Sequence, residues 1–195
     1  MLSVIIATHE SERALVRTLA ALVPGSTAGL ISEVIVADGG SADATAEVAD
    51  VAGCHFMQSA GPRGARLKTA ANGARGRWLM FLHAGAVPEP AWVEEADRFI
   101  ISAERLDQAE RAAVFRAQPA AGALRPGFAE VAQLVRSILG GGARPEQGLL
   151  IARRFYDRLG GHPEGGEAEA VLLRRIGRHR LAMLGAGLYP ARRDT

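Results

Sequence analysis

Asp38, Gly39, Gly40 and Ser41 stand in a row directly after the apolar run Val34-Ile35-Val36-Ala37. A carboxylate at a strand end can accept hydrogen bonds from a nucleobase or a ribose, and open α/β sheets bind ligands at the carboxyl ends of their strands. Gly39 and Gly40 let the backbone turn sharply and approach a ligand closely. Ser41 suits the N-cap of a following helix, with Asp43 near its positive end. A second apolar run, Trp78 to Leu82, leads into His83-Ala84-Gly85-Ala86 and marks another strand end where chemistry is expected. Plainer readings stand beside these. An aspartate before two glycines also caps a turn, and a histidine after an apolar run also sits half-buried and satisfied.

These residues need elements to hold them. Ser3 to Thr8 is a short β-branched run that reads as a central strand. Ser11 is placed to cap a helix stopped by Pro24-Gly25-Ser26. Strand two runs from Glu33 to Ala37, a helix from Ala42 to Ala52, and strand three from Cys54 to Gln58. A loop at 59–64 leads to an alanine-rich helix over Ala65 to Ala74. Strand four is Trp78 to Leu82, and Pro88-Glu89-Pro90 opens a helix to Ser102. This alternation predicts a parallel sheet with right-handed crossovers. Later, strands are expected at Ala113 to Ala117, Gly148 to Ala152 and Leu181 to Leu184. Helices are expected at Phe128 to Leu139, Arg153 to Leu159 and Glu167 to Ile176, with a flexible loop at Gly140-Gly141-Gly142.

The chain has 195 residues, 48% hydrophobic and 23% charged, which is the composition of one globular domain. Its basic residues are nearly all arginine, with Lys68 the single lysine, and they are dispersed. With aromatic residues at 5%, a nucleic-acid surface is not expected. Cys54 is alone, so an internal disulfide and a cysteine zinc site are both excluded. No apolar run reaches the ~18–20 residues of a membrane span. The N-terminus reads as a strand and not as a leader, so a cytoplasmic location is expected. Trp92, Val93 and Phe99 form an apolar helix face that either packs on the sheet or meets a second copy in a homo-oligomer.

The ordered set of motifs resembles the family 2 glycosyltransferases of GT-A fold, in particular the short bacterial ones. The resemblance is carried by Ser3-Val4-Ile5-Ile6-Ala7-Thr8-His9-Glu10, by Val36-Ala37-Asp38-Gly39-Gly40-Ser41-Ala42-Asp43 and by Gly64-Ala65-Arg66. Gly76 to Ala84, Gln147-Gly148-Leu149 and Leu159-Gly160-Gly161-His162-Pro163-Glu164 continue it. It implies an α/β fold with a mainly parallel sheet flanked by helices. One GT-A-like domain over 1–195 is expected, with a nucleotide-binding half at 1–102 and an acceptor-side half at 103–195. It further implies a nucleotide-diphosphate sugar as donor, its base and ribose near Thr8 and Asp38 against Gly39, Gly40 and Ser41, and an acceptor whose nature the sequence leaves open.

In the resembled family an acidic residue after the fourth strand holds Mg²⁺ or Mn²⁺ on the diphosphate, and a later carboxylate deprotonates the acceptor hydroxyl. Here the metal motif reads His83-Ala84-Gly85, so no residue is assigned as a metal ligand and any ion is expected to bind weakly. The pair expected to hold the base aligns with Glu167-Ala168, with Glu169 one residue on, a rotation of ~100° on a helix. Two accounts follow. In one, Arg63 and Arg66 stabilise the diphosphate, His83 assists, and Glu167 or Glu169 is the base. In the other, the fold is a binding or scaffolding module. The glutamates also suit a helix's first turn, and the arginines a solvated helix entry.

Overall fold

The structure, a computed structural model, describes residues 1–106, 110–119, 143–165 and 167–190. Strand β1 (Leu2–Thr8) is buried at all seven positions, and its apolar stretch Val4–Ala7 suits a strand covered on both faces. It pairs in parallel with β2 (Ile31–Asp38) on one side and β4 (Trp78–His83) on the other, and β3 (His55–Gln58) extends the sheet beyond β2. Helices α1 (Glu12–Thr27), α2 (Thr45–Val51) and α3 (Arg63–Gly73) make the connections. The short β5 (Val87–Pro88) and helix α4 (Trp92–Arg105) follow.

The sheet continues with strands of both directions. β6 (Ala112–Ala117), β7 (Leu149–Ala152) and β8 (Leu181–Tyr189) give the order β3-β2-β1-β4-β7-β6-β8-β5. β7 runs antiparallel to both β4 and β6, while β6 and β8 are parallel. Helix α5 (Arg153–Arg158) leaves β7, and helix α6 (Ala168–Ile176) leads by way of a short turn into β8. One hydrophobic core fills the faces of this sheet, from Leu2 and Ile5 through Leu79 and Met80 to Phe115, Ile151 and Leu188.

Several local expectations are corrected. Pro24 lies inside α1, and the helix runs one turn further before Gly29, at φ +71°, ends it. Proline lacks only one donor and tolerates a last turn whose other groups are satisfied, here by Ala28 N–H to Pro24 O and Leu30 N–H to Gly25 O. Ser11 precedes α1 but its hydroxyl bonds His9 and not the helix. Ser41 caps nothing, because α2 begins at Thr45. The Pro88-Glu89-Pro90 segment contributes to β5, and α4 starts only at Trp92. β8 is longer than expected, and the expected helix at Phe128 to Leu139 and the loop at Gly140-Gly141-Gly142 lie outside the described residues.

The apolar face on α4 is used internally. Trp92 is 1% exposed, donates its indole N–H to Ala21 O at 3.1 Å, and packs so tightly on Gly25 that a Cβ there would stand 2.5 Å from its ring. Phe99 meets Trp78 edge to face at 5.7 Å. Helix α3 is docked with similar economy: a Cβ on Gly64 would overlap the Pro163 carbonyl oxygen and come within 2.5 Å of Ala168 Cβ. Gly64→Ala is therefore expected to lower stability by about 1–3 kcal/mol, because rigid backbone must give way. A urea midpoint equal to wild type would contradict this packing.

Candidate active site

Two strand ends and their turns interlock at the carboxyl edge of β1 and β2. Thr8 and Asp38 are register partners, and the Thr8 hydroxyl donates to Asp38 Oδ1 at 2.8 Å. Ser41 Oγ donates to the same oxygen at 2.6 Å. The backbone N–H groups of Gly40 and Ser41 donate to Oδ2 at 2.8 and 2.7 Å. Asp38 is fully buried, and burial alone pushes its carboxyl pKa up; the Ser41, Thr8 and Gly40 bonds outweigh that and hold it below the usual carboxylate range. A carboxylate offers about four acceptor positions, and all are taken. In this conformation Asp38 builds the turn, and Gly39, Gly40 (φ +92°) and Ser41 form its outer surface.

The neighbouring turn after β1 is tied to this one. Ser41 Oγ accepts Glu10 N–H at 2.8 Å, and Glu10 Oε1 accepts Ala42 N–H at 2.7 Å. Asp43 accepts from Glu12 N–H at 3.0 Å and from Thr45 N–H at 3.1 Å, so one side chain serves the starts of α1 and α2. Arg66 lies beneath the turn. Its guanidinium NH1 donates to Thr8 O at 2.9 Å and Ala37 O at 3.0 Å, and a Cβ on Gly39 would stand 2.7 Å from the same nitrogen. Glycine at 39 is what lets the arginine pass under the loop.

A second cluster forms where β4 meets α3 and α6. His83 Nε2 lies 3.1 Å from Glu169 Oε1, and Arg63 NH1 lies 3.4 Å from His83 Nδ1 and 3.9 Å from Glu169 Oε2. The arginine can only donate, so Nδ1 accepts and Nε2–H donates to the glutamate. The Glu169 side chain is 16% exposed. Burial raises its pKa, but the hydrogen bond from His83 and the positive charge of Arg63 outweigh it and carry it below the ordinary glutamate value. Glu167 is elsewhere: its side chain is 80% exposed and 4.0 Å from Arg174. Helix α6 starts at Ala168, one residue later than expected, with Glu167 at its N-cap. That single residue turns Ala168 into the core and Glu169 into the cleft.

The cleft is closed on its inner side by Phe81, Leu149, Gly148 and His162. His162 is buried, with its Nδ1 2.9 Å from the Tyr156 hydroxyl. Tyr156 has no motif of its own and was missed in the sequence; the Gly160-Gly161 pair beside it is the one local signal. Gln147 turns inward, donating to Phe115 O and accepting Arg144 N–H, both at 2.8 Å.

Metal-ligating capacity is slight. Gly85 occupies the position the family resemblance gives to an acidic ligand, adopts φ +88°, and donates its N–H to the buried Thr18 hydroxyl at 2.8 Å. Among the described residues no three histidine, cysteine, aspartate or glutamate side chains group to hold an ion. A hard divalent cation wants several oxygen ligands, so the described residues do not fit a metal site built by the protein alone.

The family model described as glycosyl transferase family 2 matches residues 3–107. Glucosyl-3-phosphoglycerate synthase from Mycobacterium tuberculosis, in complex with Mn²⁺, UDP and glucosyl-3-phosphoglycerate, superposes with a TM-score of 0.70 at 19% identity. The match covers 100% of this chain and 72% of that one. The same enzyme in complex with Mn²⁺ and UDP-glucose gives 0.70 at 20% identity, with coverages of 100% and 72%. Residues 1–349 of S. aureus TarS give 0.68 at 17% identity, covering 97% of this chain and 60% of that one. No curated protein sequence matches the chain.

Proposed function

The chain belongs to glycosyl transferase family 2, and we propose that it binds a nucleotide-diphosphate sugar across the ends of β1 and β2 and transfers the sugar to a hydroxyl acceptor. Its mixed sheet flanked by helices is the GT-A fold of the superposed synthases. Residues 1–102 would bind the nucleotide and 103–195 would face the acceptor. Base and ribose would rest on the turn that Asp38 holds, between Thr8 and Gly39-Gly40-Ser41, with Arg66 fixing the turn from below.

The observation that carries the reading is the Glu169 carboxylate in the cleft, hydrogen-bonded to His83 at the end of β4. Glu169 takes the proton of the acceptor hydroxyl. The oxygen attacks the anomeric carbon as the bond from that carbon to the diphosphate oxygen breaks, and the nucleoside diphosphate leaves with the bonding electrons. Arg63, at the rim, faces the charge that develops on the leaving group. His83 holds the glutamate in line. A scaffolding role is not favoured, since Glu169 supplies a carboxylate in the cleft.

Mg²⁺ and Mn²⁺ accompany UDP in the M. tuberculosis synthase structures. With Gly85 in place of a ligand, this protein is expected to hold either ion only weakly and to lean on Arg63. The test is acceptor-free release of nucleoside diphosphate from a panel of UDP- and GDP-sugars, with Mn²⁺ and with EDTA. Most of the rate is expected to survive EDTA and to fall in Arg63→Ala. Complete loss in EDTA with Arg63→Ala unaffected would overturn the metal-weak account, and no release from any donor would count against transferase activity. Among the described residues no helix is long and apolar enough to cross a membrane.

A further inference from the structure

His162 is a buried titratable residue with no part in the chemistry above. Its ring is held on three sides: edge to face on Phe81 at 4.7 Å, tilted against Tyr156 at 5.6 Å, and with Nδ1 2.9 Å from the Tyr156 hydroxyl. The same hydroxyl accepts His162 backbone N–H at 3.1 Å. If Nδ1 also donated, the buried tyrosine would keep a proton with no acceptor among the described residues. Tyr156 therefore donates to Nδ1, and the proton of a neutral imidazole sits on Nε2. Burial, with the nearby His83 adding to it against the pull of Glu169, lowers the His162 pKa to about 4, so the ring is uncharged at neutral pH.

The backbone sets this up. Gly160 and Gly161 both take positive φ, +80° and +69°, and a Cβ on Gly161 would stand 3.0 Å from the Tyr156 ring. Two glycines in succession let the tyrosine fold back under the loop and meet the residue that follows. Among the described residues Arg66 Nε is the single buried side-chain nitrogen or oxygen without a partner. His162 is 1% exposed and lines the same cleft as His83 and Glu169, where about 10 Å³ of free space has room for a single hydroxyl group.

We propose that His162 is an uncharged hydrogen-bond donor at the inner end of the cleft, presenting Nε2–H to a hydroxyl oxygen of the donor sugar, with Tyr156 fixing its tautomer. This rests on the reading that a nucleotide sugar occupies the cleft. A neutral donor there orients the sugar without adding a positive charge that would compete for Glu169.

Long-range ¹H–¹⁵N spectra of the full chain labelled at histidine test it, with the His162 signal assigned by its loss in His162→Phe. The spectra should show Nδ1 without a proton and Nε2 with one. Titration with UDP-glucose or GDP-mannose should shift Nε2, and UDP or GDP alone should leave it in place. His162→Phe keeps the ring's shape and should release nucleotide about 10-fold more slowly at unchanged nucleotide affinity. His162→Gln, which restores a donor near Nε2, should recover most of that loss. A proton on Nδ1, an Nε2 signal unmoved by a bound nucleotide sugar, or a His162→Phe rate equal to wild type would overturn the proposal. If no resonance responds to any nucleotide or nucleotide sugar, the donor-site reading falls and the proposal with it. A response elsewhere with Nε2 unmoved refutes the role of His162 alone.

Discussion

Glu169→Gln is expected to lower the transfer rate by about 10²–10⁴-fold, the usual contribution of a positioned base, while nucleoside diphosphate binds as in wild type. The amide keeps the shape of the side chain and can still accept from His83 Nε2, so the packing of α6 should survive. What disappears is the acceptor for the substrate proton. Glu167→Gln is the matched control: its side chain lies 80% exposed at the helix start and its loss should leave the rate within about twofold. The pH profile adds a second readout. Glu169 must be ionised to act, and His83 and Arg63 keep its pKa below the ordinary glutamate value. Activity should therefore persist from neutral pH down past the usual glutamate range, and fall only below it. Equal losses in both glutamine variants, or an acid limb well above the ordinary glutamate pKa, would place the base elsewhere.

Asp38→Ala should produce the largest loss of stability in this region. The substitution leaves the Gly40 and Ser41 N–H groups and two hydroxyls without their shared acceptor. Unsatisfied buried donors cost about 1–3 kcal/mol each and do not add fully, so about 3–5 kcal/mol is expected. For a chain of this size that is a fall in Tm on the order of 10 °C. Asp38→Asn should cost less, because the amide oxygen can take the two N–H groups while the hydroxyls of Thr8 and Ser41 rotate to accept from its NH₂. The linkage to pH follows from the lowered pKa of Asp38. Its contribution is complete above the unfolded carboxyl pKa of about 3.9 and is lost as pH falls through the lower folded value. Urea unfolding at neutral pH and at acid pH should show the gap between wild type and Asp38→Asn closing under acid. A constant gap would mean that the charge contributes nothing to the turn.

The parallel half of the fold was legible because strands buried on both faces write themselves as unbroken apolar runs. Val4–Ala7, Val34–Ala37 and Trp78–Leu82 all do so. Two-residue β5 has no period to read, and Pro24 misleads because a proline's single missing donor does not dictate where a helix ends. The candidate site was legible as a set of residue types and not as a division of labour. Asp38 and Arg66 look like ligand groups in sequence, yet contacts spanning 30 and 58 residues tie them into the turn. Which glutamate faces the cleft depended on one residue of helix boundary, finer than any pattern of apolar spacing resolves. Tyr156 and His162 meet only because two glycines reverse the chain between them, and no spacing rule announces that contact.

Calorimetric titration of the wild-type protein with UDP, GDP and their common sugar conjugates, with and without Mn²⁺, tests the central claim most directly. The account predicts saturable binding of at least one nucleotide sugar, tighter than its bare nucleotide, and little strengthened by Mn²⁺ because Gly85 supplies no ligand. Failure of every nucleotide and nucleotide sugar to bind would contradict a donor site at the ends of β1 and β2. Binding that appears only with Mn²⁺ would contradict the weak role assigned here to the metal.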